Sequence, residues 1–106
     1  MNWISLEDFV QIEEYFNSQV PFIVFKHSTR CSISSMVMRR FEKKYDIHGV
    51  PLLYLDLLSY PSISDKLAQM FGVVHQSPQV LFIKNGICLY HASHNGINLQ
   101  DIKDIL

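Results

Sequence analysis

The chain is short of most residues that announce a specialised fold. Its 106 residues include two cysteines, four glycines, four prolines and one tryptophan. Two cysteines cannot build the disulfide framework of a small secreted domain or a four-thiolate zinc site. So little glycine and proline excludes collagen-like and linker-rich chains. Neither sign of charge dominates: nine Lys and Arg stand against ten Asp and Glu, for a net charge of -1. There is no basic field to hold a phosphate backbone, so nucleic acid is not expected as a partner. No apolar run reaches the roughly 18–20 residues that span a bilayer, so no membrane partner is expected either. Met1 to Phe16 carries Glu7, Asp8, Glu13 and Glu14 where a secretory leader would be basic. The expected location is the cytoplasm, where thiols stay reduced.

What is present is 48% hydrophobic and 18% charged. That composition fits one globular domain over 1–106 with a modest core. Helix and strand signals alternate. Ser5-Leu6-Glu7-Asp8 resembles a helix start, and Leu6, Phe9, Val10, Ile12, Tyr15 and Phe16 recur at helical spacing, predicting a helix over 5–18. Pro21 to Lys26 reads as a strand buried on both faces. A polar turn, Ser28 to Ser32, leads into a helix from about Ile33 to Tyr45. Pro51 to Leu57 reads as a second buried strand. Ser62 and Asp65 form a capping pair for a helix over 62–70, closed near Gly72. Gln79 to Lys84 reads as a third strand, Asn85-Gly86 as a hairpin turn, and Ile87 to Ala92 as its antiparallel partner. Asn98 caps a closing helix.

The predicted order is α-β-α-β-α-β-β-α. Two crossovers through helices imply parallel strands, and the hairpin adds one antiparallel strand. The expectation is a three-layer α/β fold with a four-stranded mixed sheet flanked by helices.

Cys31 carries the most chemical information. It follows a buried strand and opens a helix, where free N–H groups and the helix dipole favour an anion. The thiolate is the reactive form of cysteine, and Arg30 adds a neighbouring positive charge. Arg30 and Ser32 flank it, so it does not read as a core filler. Cys88, between Ile87 and Leu89, does. Cys31 to Ser34 has the form C-x-x-S. Ser34 occupies the place of a resolving thiol; a hydroxyl there can donate to the thiolate but cannot form a disulfide. This permits one-thiol exchange, with an outside thiol resetting Cys31. Ser77-Pro78 precedes the third strand, a place where proline is tolerated. A cis bond there would turn the backbone of Ser77 toward an extended ligand, although sequence alone does not select it. Two other cysteine chemistries fail on spacing. A C-x5-R phosphatase loop would need arginine where Val37 stands, and a peroxidatic P-x-x-x-T-x-x-C pattern meets Val24 and Ser28.

A strand, a C-x-x-S at a helix start, a later Ser-Pro before a strand, then Lys-Asn-Gly and a final strand resembles the thioredoxin and glutaredoxin superfamily. More closely, the chain resembles the YtxJ-type monothiol bacilliredoxins of the bacillithiol system. Phe25 to Ser34, His75-Gln76-Ser77-Pro78-Gln79 and Tyr90-His91-Ala92-Ser93-His94 carry this resemblance. It implies a thioredoxin-like fold and a thiol–disulfide oxidoreductase. Cys31 would be the nucleophile that removes bacillithiol, or a similar low-molecular-weight thiol, from mixed disulfides on client proteins. Pro78 would be a cis-proline facing Cys31, and the Ser77 backbone would hold the thiol ligand. Bacillithiol would be a co-substrate, with no tightly bound cofactor. Its malate group makes Arg30, His27 and His75 candidate anion partners. Family members often carry proline directly after the cysteine; this chain has Ser32.

Other residues read more plainly. His91 and His94 are too few for a zinc site, and no metal is expected. An iron–sulfur cluster shared between two chains is a less favoured use of Cys31. Asp56 reads as a turn cap before it reads as a proton acceptor for the cysteine. A Cys31–Cys88 bridge is not expected, because Cys88 follows a hairpin. The rival reading is a redox-inactive module of the same fold that binds a protein or peptide in the Ser77-Pro78 groove.

Overall fold

The computed structural model describes Met1 to Leu106. The elements are β1 (Trp3–Ser5), α1 (Val10–Asn17), β2 (Phe22–His27), α2 (Ser32–Lys44), β3 (Leu52–Asp56), α3 (Pro61–Phe71), β4 (Gln79–Lys84), β5 (Ile87–Ser93), a 3-10 turn (His94–Gly96) and α4 (Leu99–Lys103). They form one five-stranded mixed sheet in the order β1-β3-β2-β4-β5. No helix is long and apolar enough to cross a membrane.

The alternation of side chains along β2 separates two cores. Phe22 and Val24 join Leu6, Ile12, Leu53, Leu55, Ile63, Leu67 and Leu81 on the face covered by α1 and α3. Ile23 and Phe25 join Val37, Phe41, Leu52, Val80, Phe82, Leu99 and Ile102 on the face covered by α2 and α4. All six residues of β2 are buried, as its near-continuous apolar run requires of a central strand. The three-layer expectation holds.

Three expectations about the strands and the first helix need correction. The sheet has five strands, because Trp3 to Ser5 pairs parallel with Leu52 to Tyr54. Three residues are too few to show a period of two, so the strand is silent in the sequence. The same pairing delays the first helix to Val10. The Leu6 N–H donates to the Tyr54 carbonyl at 2.8 Å, and Asp8 Oδ1 accepts from the Val10 N–H at 2.9 Å. Asp8 thus closes the turn that leads into α1, whose N-cap, Phe9, offers no side-chain cap. Finally, β4 runs antiparallel to β2, with Lys26 opposite Gln79 and Phe22 opposite Ile83. The predicted parallel return through α3 is wrong because α3 and the segment after it bring the chain back to the end where β3 left the sheet. An apolar strand buried on both faces carries no mark of its direction.

Local signals elsewhere place the turns. Asn85 and Gly86 have φ of 54° and 73°, the two positive values of a type I′ hairpin. Gly72 closes α3 in the left-handed region. Asn98 Oδ1 accepts from the Gln100 N–H at 3.0 Å. The helix over Pro61–Phe71 begins on the proline instead, with no side-chain cap from Ser62 or Asp65.

Candidate functional site

Four chain segments meet at one end of the sheet. β2 ends at His27, level with Asp56 at the end of β3. β4 begins at Gln79, paired with Lys26 on one side and with Ser93 of β5 on the other. The Leu57 N–H donates to the His27 carbonyl at 3.1 Å, and the His94 N–H to the Pro78 carbonyl at 3.0 Å. The turn from Ser28 to Cys31 and the Ser77–Pro78 segment therefore leave the sheet at the same end.

Cys31 is the N-cap residue of α2, in extended conformation (φ -105°, ψ 118°), and half-buried. Its N–H is held by the Ser28 carbonyl at 3.1 Å, and its carbonyl accepts the first helical bond, from Ser35, at 3.1 Å. No side chain caps this helix. At an N-cap, a serine or aspartate oxygen would accept from the N–H groups of the first turn. The sulfur of Cys31 is attached at that position, where a negative charge is stabilised by free donors and the dipole. Arg30, beside it, is exposed.

Ser34 is fully buried. Its Oγ lies 2.7 Å from His27 Nδ1 and accepts from the Ser28 N–H at 3.1 Å. Its bonds thus tie the first turn of α2 to the end of β2, in place of the expected bond to the Cys31 sulfur. His27 is buried, and burial pulls its pKa below the ordinary histidine value, against the pull of Asp56 and Glu42. It is neutral at pH 7, and it serves as the partner of Ser34 where an anion contact was expected.

The Ser77–Pro78 peptide is cis. Pro78 is buried and Ser77 half-buried. The N–H and C=O of Ser77 enter no backbone–backbone hydrogen bond, and its buried Oγ has no partner. A backbone left unpaired at the entry to a strand is available to an extended ligand. The surface clefts lie elsewhere, for example among Arg40, Lys44 and Asn98 on α2 and before α4.

His75 is exposed, but its Nδ1 faces inward, 2.6 Å from Lys26 Nζ and 3.1 Å from Ser64 Oγ. Desolvation, then the Lys26 charge, lowers its pKa. The nitrogen left for an anion is Nε2. Asp56 caps its own turn: Oδ1 accepts from the Leu58 N–H at 3.2 Å and Oδ2 from Ser59 Oγ at 2.9 Å. Cys88 packs half-buried against the α1 and α3 core and donates to the Tyr90 carbonyl at 3.2 Å. Burial pushes its thiol pKa up. Cys88 pairs with Ile83, which is level with Phe22. That is five residues along β2 from the Cys31 end, about 16 Å, where a disulfide needs Cα atoms within about 7 Å. No group of three or more His, Cys, Asp or Glu side chains is arranged to hold a metal.

Lys26, Gln79 and Ser64 were not singled out from the sequence. All three are buried. The available signal was polarity out of place, a lysine at the end of the apolar run Phe22-Ile23-Val24-Phe25 and a glutamine opening Val80-Leu81-Phe82-Ile83.

The family model described as monothiol bacilliredoxin BrxC matches residues 4–102. Among solved structures, a protein with a thioredoxin fold, described provisionally as an oxidoreductase, is similar at 27% identity and a TM-score of 0.83, covering 96% of this chain and 91% of that one. The thioredoxin of Trypanosoma brucei brucei is similar at 19% identity and a TM-score of 0.80, covering 98% of this chain and 90% of its own. Malassezia sympodialis thioredoxin is similar at 15% identity and a TM-score of 0.72, covering 95% and 84%. The last two identities bear on fold alone, and that fold is the thioredoxin fold anticipated from the sequence.

Proposed function

Since the chain belongs to the monothiol bacilliredoxin family and is a thiol–disulfide oxidoreductase, we propose that it removes bacillithiol from mixed disulfides on proteins, with Cys31 as nucleophile. The observation that carries this reading is Cys31 at the uncapped N-cap of α2, on the sheet end shared with Ser77–Pro78.

The Cys31 thiolate attacks the bacillithiol sulfur of the client mixed disulfide. The client–bacillithiol S–S bond breaks, the client sulfur leaves as a thiolate that takes a proton, and a new disulfide joins Cys31 to bacillithiol. Ser34 cannot attack that disulfide. A second bacillithiol thiolate does so at the bound bacillithiol sulfur, forming bacillithiol disulfide and returning the Cys31 thiolate. The main chain of Ser77 aligns the incoming disulfide by backbone pairing. Arg30 and the outward Nε2 of His75 bind the malate carboxylates. The partners are protein mixed-disulfide clients and the low-molecular-weight thiol, and the setting is the cytoplasm.

The test is intact mass after mixing reduced protein with a bacillithiol-modified client and, in parallel, a glutathione-modified one. A bacillithiol adduct on Cys31 that forms faster than the glutathione adduct supports the proposal. Faster glutathione transfer changes the co-substrate. Full activity in Cys31→Ser, or no adduct from either client, overturns the proposal; the second outcome leaves a redox-inactive binding module.

A further inference from the structure

Lys26 is the only Lys, Arg, Asp or Glu among the buried residues, at 1% exposure. The protein's ion pair is elsewhere, Lys103 with Asp46 at 2.9 Å. An ammonium in the interior is costly unless its donors are satisfied. Two neutral acceptors meet this one: His75 Nδ1 at 2.6 Å and Gln79 Oε1 at 3.0 Å.

Both acceptors belong to the segment around Ser77–Pro78. Gln79 Oε1 also accepts from the Gln76 N–H at 3.4 Å, and Gln79 Nε2 donates to the Val74 carbonyl at 3.1 Å. From one Nζ, hydrogen bonds thus reach Val74, His75, Gln76 and Gln79, the residues on either side of Ser77–Pro78. Ser77 itself has no hydrogen-bond partner for its hydroxyl and no backbone partner. The segment that presents Ser77 is held from behind, by a side chain of the strand that leads into the Cys31 turn.

We propose that Lys26 is a positioning residue for thiol exchange, whose buried Nζ holds Val74 to Gln79, through His75 and Gln79, so that the Ser77 main chain stays presented beside the Cys31 turn. This rests on the exchange reading above. Burial lowers the Lys26 pKa to about 8, against the pull of Asp65 on α3. At pH 7 the side chain remains mainly an ammonium, and its short bond to His75 is charge-assisted. The groups that face the pair are Asp65 and Ser64 from α3 and Gln79 from β4. A protonated His75 Nδ1 becomes a donor and cannot accept from Lys26, so acid opens this bond.

The test compares Lys26→Met with the wild type by two readouts. The first is the rate of exchange with a bacillithiol-modified client divided by the rate of Cys31 alkylation with iodoacetamide, which needs no contact with Ser77. The second is amide hydrogen exchange of Gln76 in the free protein. Lys26→Met is expected to lower the ratio and the Gln76 protection by about tenfold or more, the loss associated with a hydrogen bond to a charged group. His75→Ala, at the surface, is expected to do the same. His75→Asn keeps an acceptor for Lys26 but lacks the Nε2 of the malate contact, so it is expected to recover most of the Gln76 protection. Unchanged ratio and protection in a folded Lys26→Met overturn the inference. Should that variant not fold, equal Gln76 protection in His75→Ala and His75→Asn overturns it. Exchange that persists in Cys31→Ser would instead sink the functional reading, so the two failures are distinct.

Discussion

Ser34 Oγ lies 2.7 Å from His27 Nδ1, so the residue three places after Cys31 is bound to the end of the central strand. The turn that carries the sulfur is thereby fastened at both ends, by β2 and by the first turn of α2. Ser34→Ala would leave His27 Nδ1 and the Ser28 N–H without partners in the interior. A loss of about 1–3 kcal/mol in unfolding free energy is expected, read from denaturant unfolding at pH 7. A loss near zero would show that water replaces the hydroxyl.

The two cysteines should differ sharply toward a small electrophile. Cys31 occupies a helix N-cap, whereas Cys88 packs on the core with its pKa raised by burial. Brief treatment with iodoacetamide at pH 7 should label Cys31 alone, as read by peptide mass. Comparable labelling of Cys88 would mean that the β4–β5 hairpin opens readily.

Stability should rise with pH in the alkaline range. The Lys26 pKa is about 8 in the folded chain and 10.5 when solvated. Between these values the unfolded chain binds more protons, so unfolding becomes harder as pH increases, by roughly 2–3 kcal/mol. Tyrosines 45, 54, 60 and 90 have raised values and oppose this trend above pH 10. Lys26→Met should remove the rise. Urea unfolding at pH 7, 8, 9 and 10 checks both statements.

Acid should destabilise the fold from the other side. His27 and His75 both have lowered values. Below pH 6.5 the unfolded chain takes up protons that the folded one refuses, so stability falls with pH. His75→Asn should lose part of this dependence and retain the part due to His27.

Gly86 has a φ of 73°, and a Cβ built there would lie 3.0 Å from the Phe16 ring. Gly86→Ala should cost about 1–3 kcal/mol through backbone strain. Thermal unfolding would measure it. Asn85→Gly, at the neighbouring positive φ, should be tolerated.

Much of this protein was legible in its sequence because the signals were local. The Asn85-Gly86 turn, the Gly72 stop and the Asn98 cap depend on backbone preferences within a few residues, and they stand where they were expected. Cys31 at a strand-to-helix turn is also local, as is the exposed Arg30 beside it. The motifs of Phe25 to Ser34 and His75 to Gln79 pointed to the bacilliredoxin family before any contact was known.

The tertiary structure decided what depends on long-range partners. β1 exists because Trp3 to Ser5 finds the free edge of β3, and no three-residue pattern announces that pairing. The direction of β4 was open because Val80 to Ile83 is apolar on both faces, so either orientation buries the same side chains. The sequence offered His75 as an anion partner without saying which ring nitrogen is free; its inward Nδ1 follows from Lys26, 49 residues away in the chain. Hydrophobic patterning determines which residues go inside, since burial is a property of each side chain. Which buried polar atoms meet is a property of the packed sheet, and that is why the Lys26 network appears only when the strands are in register.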